Sequence, residues 1–198
     1  MGFGLLFIGY LLSHGFTSGA NYVVSIVGIV GAVIMFFGCR KLSDYSAKFK
    51  YAGVVSIAFA LAYVFSGLVQ LVSVYPPSPD FVIPQLVTNL SRGLIIALVF
   101  VFNFYMYLGI SDIARIAQVD SLSVGAVRNL VFMIIYYVVL ISSKVIKPYF
   151  GAASGVLGLA GAVIGIVWLV LSVWCVMSAY MKICLEGDEE MSNPADKK

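Results

Sequence analysis

The sequence predicts an all-α integral membrane protein, a helical bundle of six transmembrane helices with both termini cytoplasmic. Three observations predict it. Hydrophobic residues make up 62% of the 198 residues and charged ones 11%, with a mean hydropathy of +1.04, which leaves too little polar cover for a soluble surface. Residues 148–181 carry no charge, and a helix of that length outreaches a bilayer core of roughly 30 Å. Shorter apolar runs precede it, parted by loops that hold the prolines and most of the charges.

The first segment, residues 2–16, is short for a full crossing and reads as a thin, re-entrant or interfacial helix. If it does not cross, five spans remain and only the N-terminus changes side. The second, residues 21–38, stops at Arg40 and Lys41. The third, residues 51–75, follows the basic loop 40–50 and ends at Pro76, Pro77 and Pro79, which cannot continue a helix. The fourth covers residues 86–109 and the fifth residues 124–143. Between them Ile110, Ile113, Ile116 and Val119 alternate with Asp112, Arg115, Gln118 and Ser121. That spacing predicts an interfacial helix over 110–119 or an extension of the fourth helix. Asp120, Ser121 and Ser123 offer caps for the fifth. The sixth segment is residues 151–181. Residues 1–185 thus read as one transmembrane domain, and residues 186–198, with Gly187 and Pro194, as a polar cytoplasmic tail.

Orientation follows from the basic residues, whose excess marks the cytoplasmic side. Of the twelve Lys and Arg, the six-span layout puts Arg40, Lys41, Lys48, Lys50, Arg115, Arg128, Lys182, Lys197 and Lys198 inside and only Arg92, Lys144 and Lys147 outside. The net charge of +3 therefore reads as topology and lipid headgroups, with no basic domain to grip nucleic acid. Residues 1–12 lack the basic start and small-residue cleavage site of a signal peptide.

Packing is signalled by small residues, because in lipid two helices gain by letting their backbones approach rather than by hiding leucine. Gly151, Gly158, Gly165, Ser172 and Ala179 are each seven apart, with Gly155 and Ala162 between, while Trp168, Leu169 and Trp174 lie off this seam. In the second segment Ser25, Ala32 and Cys39 repeat the spacing, with Gly28 and Gly31 between them. Helices two and six are therefore expected to pack together, and the seven-residue period favours a left-handed crossing.

Chemistry has few candidates. His14 is the one histidine, no motif for a metalloprotease, nucleotide loop or serine nucleophile occurs, and no carboxylate falls within a span. Cys39, Cys175 and Cys184 are an odd number without a CxxC and read as reduced structural thiols. The expectation is no enzymatic activity, no metal and no cofactor. A polar stripe remains, for Gln85, Asn89, Arg92, Asn103 and Tyr107 recur on one face of the fourth helix. Arg92 either snorkels to headgroups or lines an outer polar cavity with Asn89, Gln70, Lys144 and His14. Such a cavity would take an anionic small molecule or lipid headgroup, whose oxygens match the planar donors of arginine. Tyr136 and Tyr137 carry hydroxyls that need partners if buried.

The opening MGFGLLFIGY, followed by six apolar segments, resembles small multi-pass membrane proteins of clostridial and related Gram-positive bacteria. The resemblance implies a bacterial inner-membrane protein and no particular activity. In size, span number and inside termini the chain is also similar to the substrate-binding S-components of energy-coupling-factor transporters, although its first segment lacks their AxxxA pattern. The expected function is binding of a small molecule, lipid or protein partner within the membrane, homo-oligomers included. The alternatives are a substrate-binding transporter subunit and, more distantly, a membrane enzyme.

Overall fold

The computed structural model describes residues 2–14, 22–76, 78, 83–146 and 149–191, and the side chains of all of these except 14, 22–24, 151–153 and 184–191. Among the described residues it is all-helical: α1 (Gly2–His14), α2 (Tyr22–Leu42), α3 (Ala47–Val74), α4 (Gln85–Ile116), α5 (Asp120–Ile146) and α6 (Gly151–Met191). Five of them, α2 to α6, are long and apolar enough to cross a membrane. The first is not. Its 13 residues reach about 20 Å. The chain divides into two compact units, Met1–Gly109 and Ile110–Lys198, with α4 running through the boundary.

In the first unit α1 lies antiparallel to α2 with backbone against backbone. A Cβ at Gly9 would stand 2.7 Å from the Gly31 carbonyl oxygen and the Met35 nitrogen, and one at Gly31 would stand 2.7 Å from the Ser13 nitrogen. Gly38 meets the Leu6 nitrogen at 2.7 Å in the same way. Gly31 and Gly38 are seven apart, so successive turns of α2 offer α1 the same bare surface. The pairing sets the ends: Gly2 sits beside Lys41 and Leu42, while Ser13 is level with Gly31. Because Gly31 lies nine residues from Tyr22, the described residues of α1 reach to about 13 Å from the start of α2.

The other face of α2 takes α3. Ser25 packs on Gly67, Gly28 on the Tyr63 ring and Cys39 on Gly53. The small residues expected to face α6 are thus occupied within their own unit. At the Lys41 end, Phe49 fills the space left by Gly109 of α4 and meets Phe3 of α1 edge-on at 6.0 Å. Tyr51 packs on Tyr105 at 5.4 Å, which fixes α3 antiparallel to α4.

The second unit holds the end of α4, then α5 and α6. Of the expected seam, Gly165 meets the Tyr136 ring, Gly158 lies in ordinary contact with the Ser143 hydroxyl, and Ser172 and Ala179 are buried. The surroundings of Gly151 lie outside the described side chains. Residues 110–116 form the last turns of α4 rather than a separate interfacial helix. The helix closes on Gln118 in the left-handed region (φ 57), with Val119 donating to the Ala114 carbonyl and Gln118 to that of Arg115, a Schellman closure. Helix α6 continues to Met191, so residues 186–191, expected as tail, are helical, and residues 192–198 lie outside the described residues.

Substitution tests the close approach. Gly9→Ala and Gly31→Ala are each expected to lower the melting temperature in detergent, at a cost of about 1–3 kcal/mol, because rigid backbone atoms must move apart. Gly93→Ala and Gly125→Ala, whose added methyl meets nothing within 4 Å, should leave it unchanged or slightly raised. Equal melting temperatures for all four variants would remove the glycine contact from the account.

Candidate functional site

The polar stripe of α4 is split by what covers it. Asn103 and Tyr107 are buried, whereas Asn89 and Arg92 are exposed. Eleven residues separate Arg92 from Asn103, close to three helical turns, so both belong to one face. Tyr10 of α1 covers that face at Asn103, donating its hydroxyl to Oδ1 at 3.0 Å. Helix α1 runs antiparallel to α4 and ends four residues later at His14. Its described residues do not reach the level of Arg92, where the stripe is exposed. Arg92 has no carboxylate partner among the described residues.

Depth follows from length. Residues 93–111 carry no charge and span about 28 Å as helix, close to the hydrocarbon thickness of about 30 Å. Arg92 and Asp112 therefore flank an uncharged run long enough to cross the hydrocarbon. Gln70 of α3 is half-buried; its Nε2 donates to the Ser66 hydroxyl at 3.4 Å, and its Oε1 is buried without a donor. No bond among the described residues joins Gln70 to Asn89 or Arg92. Lys144 is exposed in the last turn of α5, in the second unit. His14 closes α1, and its side chain lies outside the described ones, as do Pro77, Pro79, Asp80 and Lys147 altogether.

Sequence reasoning missed the buried polar chain at the end of α1. A helix leaves its last carbonyls without partners, and in apolar surroundings each must find a donor. The Tyr63 hydroxyl donates to the Ser13 carbonyl at 2.9 Å, and the Ser13 hydroxyl donates to the Tyr10 carbonyl at 3.2 Å. Asn103 uses its Nδ2 on the Val99 carbonyl of its own helix at 2.9 Å. Gly28 makes room for the Tyr63 ring. The available signal was Gly2 and Gly9, seven apart and antiparallel to Gly31 and Gly38.

In the second unit Tyr136 stacks on Trp168 at 5.4 Å with 17° between planes, and Tyr137 meets the same indole edge-on at 6.2 Å. Asn129 is buried; its Nδ2 donates to the Leu171 carbonyl at 2.8 Å, while its Oδ1 has no hydrogen-bond partner among the described residues. Ser121 and Ser123, expected as caps, instead take side-chain donors, Lys182 at 3.2 Å and Arg115 Nε at 3.3 Å. No group of three metal-ligating side chains comes together among the described residues.

The two buried asparagines should respond differently. Tyr10→Phe and Asn103→Leu are each expected to cost about 1 kcal/mol, with a coupling near 0.6 kcal/mol in a double-mutant cycle, the usual scale for such bonds in membranes. Asn129→Leu should cost less than Asn103→Leu, because it removes an oxygen that has no donor. Chemical unfolding in mixed micelles measures all four.

Comparison with protein-family models, curated proteins and solved structures gave no match, so function is argued from the side chains alone.

Proposed function

We propose that the protein is a multi-pass membrane protein without enzymatic activity that binds a small molecule, a lipid or a protein partner through the exposed stripe of α4. The group bound there is anionic or strongly polar. One observation carries the reading: the stripe that α1 covers at Asn103 is exposed at Asn89 and Arg92, leaving a guanidinium without a carboxylate partner among the described residues at the end of the uncharged run 93–111. A carboxylate or phosphate accepts two parallel N–H bonds from arginine, and the Asn89 amide one turn away adds a donor.

Six crossings place both termini with the basic loop 40–50 in the cytoplasm of a bacterial cell. Supporting this, Gly2 lies at the Lys41 end of α2, and α1 points toward the end from which α2 starts.

A second reading, a substrate-binding transporter subunit, is favoured by α1 itself. Near the described end of α1 the Ser13 carbonyl takes a hydrogen bond from the Tyr63 hydroxyl, and helix-end carbonyls at membrane depth are groups on which transporters build sites. This reading requires co-purification with an energising partner.

Mass spectrometry of the gently extracted protein separates these outcomes. Wild type should carry an anionic lipid or solute that Arg92→Ala loses while keeping its melting temperature. An unchanged ligand complement would refute the site. Topology is read independently with single cysteines: Ser46→Cys should resist an impermeant reagent in intact cells, whereas Ser78→Cys should react.

A further inference from the structure

The turn joining α2 and α3 gathers cations in a fixed arrangement at the end of the first unit opposite Arg92. Arg40 and Lys41 close α2, and Lys48 and Lys50 lie in the first turn of α3. Asp44 is the one acid among them, and none of the four has a carboxylate partner among the described residues. Caps hold the turn: Ser43 donates to the Arg40 carbonyl at 2.6 Å, Ser46 accepts from the Lys48 nitrogen at 3.3 Å, and Tyr45 and Ser46 donate back to the Leu42 carbonyl. Phe49 anchors it from below, fully buried between Phe3 and Gly109. Tyr45 and Tyr51 are 53% and 54% exposed on either side, as side chains at a membrane–water boundary are.

We infer that this hairpin is a binding surface for the headgroups of anionic phospholipids in the leaflet it faces. Charge complementarity selects the occupant. Four cations against one acid leave a net +3 within residues 40–50, and the N-termini of α1 and α3 add their positive ends at the same level. Arg40, Lys41 and Lys50 are exposed, and their apolar stems start within the span, so the charges meet phosphates without leaving the lipid boundary. Each cation near an anionic surface contributes roughly fivefold in affinity, and a cluster of four beside a span holds such lipids selectively. The residues are separate from Asn89 and Arg92, so this surface stands or falls apart from the function proposed above.

The test is native mass spectrometry of the full chain in micelles doped with phosphatidylglycerol and phosphatidylcholine of equal chain length. Wild type should retain phosphatidylglycerol over phosphatidylcholine by tenfold or more, and raising the salt should shrink the preference. The fourfold variant Arg40→Gln, Lys41→Gln, Lys48→Gln, Lys50→Gln should lose most of the preference while Arg128→Gln, a cation exposed on α5 outside the hairpin, keeps it. Should the fourfold variant fail to fold, the pairs Arg40→Gln, Lys41→Gln and Lys48→Gln, Lys50→Gln should each lose part of it. A fourfold variant, or both pair variants, with wild-type selectivity would overturn the inference. So would full displacement of the lipid by millimolar inorganic phosphate, which would make the site one for the free anion.

Discussion

Contact between the backbones of α1 and α2 is the constraint on which the first unit depends. Lipid offers no reward for burying leucine, so helices adhere where dispersion contacts are densest, and these are densest where no side chain intervenes. Gly9, Gly31 and Gly38 supply that surface and fix the register of α1 to a single residue. The register brings Tyr10 to Asn103, Ser13 to Tyr63 and Phe3 to Phe49. Sliding α1 by one turn would strand the Ser13 carbonyl and the Asn103 amide in an apolar interior, which disfavours every alternative alignment. Packing and polar satisfaction thus select the same arrangement.

The shortness of α1 has a further consequence for α4. A helix of 32 residues with one polar face needs cover along its length, and the described residues of α1 cover it at Asn103, not at Asn89 and Arg92. Where cover exists, asparagine and tyrosine become structural. Where it ends, Asn89 and Arg92 remain available. One sequence pattern therefore yields two physical roles, and the boundary between them is set by another helix.

This explains which features were legible in the sequence. Apolar length and proline breaks place α2 to α6, because crossing a bilayer demands an uncharged run whatever the partners are, but not the charged ends of α4 and α6, which run on to Ile116 and Met191. The polar face of α4 is equally legible from its period. Its division is not, since nothing within residues 85–116 tells where α1 stops. The small residues of α2 were visible, but choosing their partner needed distances: Gly31 and Gly38 turn to α1, while Ser25, Gly28 and Cys39 turn to α3. Residues 110–116 leave two readings open for a different reason. An amphipathic end to a long helix has the same period as an interfacial helix, and only the closure at Gln118 separates them.

The second unit shows how far the lipid enters the energetics. Val156, Leu159, Ile166 and Trp174 of α6 are each at least 65% exposed, an arrangement that water would penalise and hydrocarbon does not. With no hydrophobic force between α5 and α6, their pairing rests on specific contacts: the Tyr136 ring at Gly165 and over Trp168, the Asn129 amide on the Leu171 carbonyl, and the Ser143 hydroxyl on the Ser154 carbonyl at 3.1 Å. The Leu171 carbonyl lies within a regular helix, so Asn129 adds a second bond to an acceptor already used by the backbone ladder. Such a bond ties two helices without unwinding either. It also leaves Oδ1 buried and unsatisfied, which offsets part of what Nδ2 contributes. The α5–α6 pair is accordingly held by side-chain bonds and ring contacts, where α1 and α2 are held by glycine contacts between backbones.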